Sequence, residues 1–374
     1  MSGVVIYAYL NEMVRKEATD LYLTVGVPPT MRIDDRLQAL SDVVMQTEDM
    51  QTLLGEILTS RQRLEFDTSM ELNLALDMGK EGRFRINILR QRQRPAMVIR
   101  RIISKIPSFE DLRLPKLMER LAVEKRGLVL LCGVTSSGKT TTLASLVDYR
   151  NRTVGGHIVT IEDPIEFHHE HKMGIVTQRE VGIDTASYAV ALKNALRQKP
   201  DVILVGEIRD STVMEQTIIA AETGHLCFAT LHSNNAAQTV ERVINFFPEK
   251  QQQQQIRIAL SLNLRAIIAQ RLIRTIKGDM VVAIEVMLNE GLIRELILKG
   301  ETSKISDVMA NNNPVGMVVF DQSILNLYKQ GTISEQIAIA EADLPTDMKM
   351  KIQQVKMGDK VRGMTDIDTS RLSL

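Results

Sequence analysis

Gly133, Val134, Thr135, Ser136, Ser137, Gly138, Lys139 and Thr140 form the stretch of this chain with the most chemistry in it. Two glycines bracket four residues and a Lys-Thr pair closes the run, the spacing of a Walker A loop. Glycines let backbone amides curl around a phosphate, and a helix that starts at the end of the loop adds its positive pole. Lys139 has the length to reach the β- and γ-phosphates, and the Thr140 hydroxyl can ligate Mg²⁺. The run predicts a site for ATP with Mg²⁺.

Further carboxylates fit around such a site. Asp201-Val-Ile-Leu-Val-Gly-Glu207 is an apolar strand ending in an acid, the Walker B arrangement, with Glu207 placed to hold Mg²⁺ or its water. Thr160-Ile-Glu-Asp-Pro-Ile-Glu166 puts three acids at the C-terminal end of another strand. Open α/β sheets bind ligands at that edge. Glu166 is the first candidate to orient and deprotonate an attacking water, and Glu162 is the alternative. A plain acidic turn is the competing account. Thr223-Gly-His225 and Ala229-Thr-Leu-His232-Ser-Asn-Asn235 bracket a fourth strand. Histidines on either side of one strand suggest a γ-phosphate sensor or a subunit contact. Arg209, close to Glu207, is expected in the same network.

The elements that must carry these groups alternate strand and helix. Leu128 to Cys132, Ile158 to Glu162, Val202 to Val205 and Leu226 to Thr230 are short apolar runs, as strands covered by helices on both faces require. A helix with Leu143, Leu146 and Val147 on one face follows the glycine loop. From Pro248 the pattern reads as helical, with one long helix from Ile256 to Leu272 and a solvated glutamine run, Gln251 to Gln255, at its start. After Asp343 apolar residues thin out and lysines recur, which predicts weak order.

Residues 1 to 98 mix both periodicities. Helical spacing covers Val4 to Val14 and Met50 to Leu58, while Asp20 to Val25, Thr30 to Asp34, Glu71 to Asp77 and Gly82 to Arg90 read as strands, with a hairpin at Asp34-Asp35. In the last strand Phe84, Ile86 and Ile88 point one way and Arg83, Arg85 and Asn87 the other. The division expected is an α+β domain at 1–98, a linker at 99–114 around Pro107, an α/β domain with a helical C-terminal part at 115–343, and a tail at 344–374.

Composition narrows the function classes. Lysine plus arginine and aspartate plus glutamate are equal at 46 each, and aromatics make up 4%. Neither a basic surface nor a stacking platform for bases is indicated, so no nucleic-acid partner is expected. Cys132 and Cys227 sit in apolar runs and read as buried hydrophobes in a reducing compartment. The first residues lack a basic segment and a cleavage site, and no apolar run reaches the roughly 18 residues needed to span a bilayer. A cytoplasmic location is expected, peripheral at the inner membrane only through a partner.

In order and spacing these elements resemble the bacterial secretion and type IV pilus ATPases. Glu207-Ile-Arg-Asp210, Ala221-Glu-Thr-Gly-His225 and Thr230-Leu-His232 carry the likeness, with Ala18-Thr-Asp-Leu-Tyr-Leu23 and Gly26-Val-Pro-Pro29 in the first domain. The compact length and the missing four-cysteine zinc module look like the twitching-motility retraction ATPases of the PilT and PilU type. PilT proteins carry Ala-Ile-Arg-Asn-Leu-Ile-Arg near the C-terminus; here the stretch is Leu292-Ile-Arg-Glu-Leu-Ile-Leu298. That departure and Ser136-Ser137 resemble the PilU branch more. The resemblance implies an α/β fold with a PAS-like N-terminal domain and a RecA-like ATPase domain. It implies a homo-hexameric motor for pilus retraction, with a PilT-like retraction ATPase and an inner-membrane pilus platform protein as partners. It further implies that Arg83, Arg85 and Arg100 stabilise charge on a neighbouring subunit's γ-phosphate. The alternatives are a nucleotide-binding accessory subunit, a pilus-assembly or type II secretion ATPase, and, least, a nucleic-acid translocase.

Overall fold

The computed structural model describes residues 5–34, 36–79, 82–102, 105–312 and 316–365. The chain divides into two compact units. One holds the residues up to Ile106 with Glu162–Glu170 and Gln178–Ala191; the other holds Pro107–Ile161, His171–Thr177 and the chain from Leu192 on.

In the first unit the elements run α1 (Val5–Arg15), β1 (Asp20–Thr24), β2 (Thr30–Ile33), β3 (Arg36–Ala39), α2 (Thr47–Ile57), α3 (Ser60–Ser69), β4 (Glu71–Asp77), β5 (Arg83–Gln91) and β6 (Arg94–Ile102). The strands form an antiparallel sheet in the order β3-β2-β1-β6-β5-β4. Phe84, Ile86 and Ile88 of β5 are buried on one face with Leu21 and Leu23 of β1 and Met97 and Ile99 of β6. Ile6, Leu10 and Met13 of α1 and Met50, Leu53 and Leu54 of α2 complete that core. The alternation read from β5 is thus a one-faced strand in an antiparallel sheet.

One expectation fails here. The linker placed at 99–114 begins inside β6, so Arg100 belongs to a central strand. Pro95 masks that strand in the sequence, since proline cannot donate to a ladder. In the fold Pro95 lies one residue beyond the β1 ladder, which ends at Thr24 and Ala96. Helix α3 was not anticipated either. It starts with a reciprocal capping box between Thr59 and Gln62 but has little apolar periodicity, with Phe66 its buried anchor. The expected hairpin at Asp34-Asp35 falls partly outside the described residues.

The second sequence half contains α4 (Leu117–Ala122), β7 (Gly127–Cys132), α5 (Lys139–Thr153), β8 (Gly156–Glu162), β9 (Gly174–Glu180), α6 (Tyr188–Ala195), β10 (Val202–Val205), α7 (Ser211–Glu222), β11 (Leu226–Leu231), α8 (Ala236–Asn245), α9 (Lys250–Asn263), β12 (Leu264–Arg274) and β13 (Met280–Leu288). Helices α10 (Leu292–Lys299), α11 (Ile305–Asn312), α12 (Phe320–Lys329), α13 (Glu335–Glu341) and α14 (Pro345–Thr365) follow. The sheet order is β13-β12-β7-β11-β10-β8-β9. Strands β12, β7, β11, β10 and β8 are parallel to their neighbours in that order, and β13 is antiparallel to β12. All residues of β7, β10 and β11 are buried.

The long helix expected from Ile256 to Leu272 is two elements. Helix α9 stops at Asn263 and the chain continues as β12. Apolar periodicity cannot tell a doubly buried strand from a helix. What ends the helix comes from far along the chain: Asn289 Nδ2 donates to the carbonyls of Leu260, Ser261 and Leu264 at 3.2, 3.0 and 3.0 Å. Ser261 O is one of the carbonyls that a helix C-terminus leaves without an intrahelical partner. Of the tail expected to be weakly ordered, Pro345–Thr365 forms α14, whose Met348 and Ile352 are fully buried, and residues 366–374 lie outside the described residues.

Candidate functional site

Strand β7 delivers the chain into the glycine loop, and the backbone there admits few alternatives. Gly133 has φ of 148°, and a Cβ on it would lie 2.5 Å from the carbonyl oxygen of Gln270 and collide with Ser137 Oγ. Gly138, with φ of 90°, is the N-cap of α5. A loop with positive φ at both glycines thus leads straight into the first turn of α5, the arrangement that suits a phosphate. Lys139 is buried, and its Nζ donates to the carbonyls of Gly133 and Val134 at 2.8 and 2.9 Å. Burial lowers its pKa, against the charges of Cys132 and Glu207. Ser137 Oγ is buried without a hydrogen-bond partner among the described residues, so the loop has a hydroxyl to give. Thr140 is exposed at the start of α5. Behind the loop, Gln270 Nε2 donates to Thr142 Oγ1 at 2.9 Å.

Glu207 follows β10, two strands from β7. Its Oε2 takes Arg209 Nη2 at 2.8 Å, and its Oε1 lies 3.1 Å from His232 Nε2. Burial works against its ionisation, but Arg209, His232 and Lys139 together hold the carboxyl below the usual range. His232 stands at the C-terminal end of β11, which Thr230 ties to the Glu207 loop through its hydroxyl on Gly206 O. A cavity of about 420 Å³ opens there, lined by Val134, Thr135, His232, Ser233, Asn234 and Arg242 among others.

His225 is not part of this group. It precedes β11 at the opposite sheet edge, where its Nδ1 meets Ala220 O at 2.9 Å and Thr223 Oγ1 at 3.2 Å, closing the end of α7. Only one of the two bracketing histidines reaches the phosphate loop's edge.

The remaining candidates belong to the other unit. Glu162, the last residue of β8, is buried, and Gln178 Nε2 donates to it at 3.3 Å. Glu166 is exposed after the Asp163-Pro164 pair. Arg100 donates through Nε to buried Asp20 at 2.8 Å, and this bond raises its pKa against partial burial, with Glu166 adding to the rise. In register, Asp20 lies opposite Arg100, and Arg100 opposite Arg85, so the three stand in one row across β1, β6 and β5. Glu180 is buried and accepts Ile165 N–H; burial raises its pKa, and Arg85 and Arg83 oppose the rise. Asp20 and Glu180 were missed in the sequence, although a carboxylate in an apolar strand is a signal that such arginines need a partner. Gln270, a lone amide in apolar β12, was missed for the same reason.

The sequence model of the type II/IV secretion system protein family matches residues 4–309. The chain belongs to that family. It is an ATPase of this group and binds nucleotide. It is similar to the type IV pilus ATPase PilU of Pseudomonas aeruginosa, 45% identical over 92% of this chain and 90% of that protein. It is also similar to the type IV pilus retraction ATPase PilT of the same organism, 38% identical over 88% of this chain and 96% of the relative. Among solved structures, the pilus retraction motor PilT with bound ADP superposes with a TM-score of 0.85 at 40% identity, over 94% of this chain and 99% of that one. The mixed α/β architecture with its mainly parallel sheet agrees with that structure. Among the described residues, no helix is long and apolar enough to cross a membrane.

Proposed function

We propose that this family member is an ATP-hydrolysing motor for type IV pilus retraction and twitching motility. The observation that carries this reading is a phosphate loop with Lys139, Glu207 and His232 at one sheet edge, in a chain similar to PilU over nine-tenths of both lengths. The N-terminal unit is read as the family's PAS-like domain and the rest as its RecA-like ATPase domain. Six copies form a ring, cytoplasmic and held at the inner membrane by the pilus platform protein.

Each residue then has a task. The 133–138 amides and Ser137 cradle the phosphates, and Lys139 leaves its loop carbonyls for the β- and γ-phosphates. Thr140 and Glu207, hard oxygen donors, suit Mg²⁺, which when bound neutralises charge on those phosphates. Exposed Glu166 orients and deprotonates water, with Glu162 the alternative. His232 hydrogen-bonds Glu207 and reports on the γ-phosphate. Arg85 and Arg100 stabilise developing charge in a neighbouring subunit's site. Deleting the gene tests the direction of the motor. Hyperpiliated cells that do not twitch are the expected result, and bald cells would point to pilus assembly instead.

A second reading, a motor that acts only beside a PilT-like partner, has support from α10. Ile293, Leu296 and Ile297, which match the PilT motif, are buried, and Arg294 Nε donates to Ser261 O at 2.7 Å. The departing residues Leu292, Glu295 and Leu298 share the exposed face. Packing is kept while the face available to a partner differs.

A further inference from the structure

Every buried position of β13 is apolar except one. Glu285 is 6% exposed, and its Oε1 accepts the N–H of Ala236 at 2.8 Å, the first residue of α8. The backbone of Phe320, the first residue of α12, lies near enough to favour the ionised carboxylate. The Ala236 amide is among those a helix leaves unpartnered in its first turn, where the dipole favours negative charge. This side chain thus closes the start of α8.

Helix α8 begins directly after the segment that carries His232. Between them Ser233 Oγ and Thr239 Oγ1 lie 2.6 Å apart, and Asn235 caps α8 by accepting Gln238 N–H at 2.9 Å. The placing of His232 beside Glu207 depends on where α8 starts, and Glu285 is the charged group that fixes that start. A buried carboxylate is costly unless it is bonded, so its presence in an apolar strand calls for a reason.

We infer that Glu285 is a positioning residue for ATP hydrolysis: by pinning the start of α8 to β13, its carboxylate sets the loop that presents His232 to Glu207. This rests on the reading of His232 and Glu207 as parts of the hydrolytic site.

The neighbouring titratable groups are Arg271 on β12 and Asp343 after α13, paired with each other at 2.8 Å, and the neutral Cys132 thiol on β7. Asp321 on α12 is turned to the N–H groups of Asp343 and Leu344. Helix α8 offers Glu285 its backbone. Burial, with Asp343 adding to it, pushes the Glu285 carboxyl up to about 6 against the Ala236 amide bond, the Phe320 backbone and Arg271. A carboxyl raised on folding stabilises the fold most below its unfolded pKa, and that contribution is lost as pH rises through about 6. Activity and stability then move in opposite directions: acidification through this range favours the fold while weakening the acceptor that positions α8.

The test compares full-length parent with Glu285→Gln for kcat, KM for ATP and melting temperature between about pH 5 and 8, the range that brackets this carboxyl. The amide keeps the size and removes the charge. A kcat lower by about tenfold at the alkaline end, an unchanged KM, and a flattened acid limb are expected. The melting temperature of the variant should gain on the parent as pH rises through about 6. Parental kcat in the variant, or pH profiles of the same shape in both, would overturn the inference. If the glutamine chain does not fold, Glu285→Asp keeps the charge one methylene short; kcat should still fall, and parental turnover there overturns the inference equally. Parent hydrolysis above a Lys139→Ala baseline checks the site itself, separately from Glu285.

Discussion

His232 Nε2 lies 3.1 Å from Glu207 Oε1, while Arg209 Nε and Nη2 reach the other oxygen of the same carboxylate at 2.9 and 2.8 Å. One acid at the end of β10 is therefore held from both sides, by its own loop and by β11. Arg209 is more than half exposed, so its ion pair adds little to stability; its effect is to aim the carboxylate. His232→Ala should lower kcat by about 10²-fold while nucleotide binding survives, because the phosphate loop is untouched. Steady-state hydrolysis beside titration with a fluorescent nucleotide measures both. Parental kcat in the variant would reduce the contact to a structural one.

Glu166 and Glu162 compete for the role of base, and their surroundings differ. Glu162 is buried and takes Gln178 Nε2, whereas Glu166 is exposed. Glu166→Gln is expected to bind Mg-ATP and to hydrolyse it at least about 10²-fold more slowly. Single-turnover rates of both glutamine variants decide the matter. Slow Glu162→Gln beside a normal Glu166→Gln reverses the assignment.

Arg85 and Arg100 face each other across β5 and β6, yet only Arg100 has Asp20 beside it at 2.8 Å. Arg85→Ala should reduce kcat in assembled rings without preventing nucleotide binding by single subunits. Mixing Arg85→Ala with Lys139→Ala chains should restore part of the activity, since some interfaces then combine an intact loop with an intact arginine. Activity that never exceeds the weighted average of the two variants would show that the arginine does not act across the interface. Asp20→Asn should cost at most about 1 kcal/mol of stability in urea unfolding, because Arg100 is largely exposed and water can replace its lost charged acceptor.

Leu298 is exposed on α10, so Leu298→Arg should leave melting temperature and hydrolysis near the parent's. It restores a guanidinium fork at the place where PilT proteins have one. In cells lacking a PilT-like protein the parent should support no retraction. Retraction by the unmodified chain alone would end the partner-dependent reading, and retraction gained only by the arginine variant would locate the dependence on this helix face.

Much of the phosphate site is legible in the residues alone. Gly133, Gly138, Lys139 and Thr140 act through backbone freedom and reach over eight positions, so local spacing determines what they can do. The apolar runs of β7, β8, β10 and β11 are equally local, since strands buried on both faces tolerate little else. The elements that were misread are those whose fate is decided by distant groups. Residues Leu264–Arg274 became a strand because Asn289 ends α9 and because β7 and β13 offer ladders on both sides. Strand β6 is set by pairing with β1, eighty residues earlier in the Asp20–Arg100 contact. Which histidine approaches Glu207 was likewise undecided until β11 placed His225 and His232 at its opposite ends. Spacing along the chain fixes groups within one turn or loop. Long-range pairing of backbone and buried carboxylates decides the rest, because their partners are chosen by the fold.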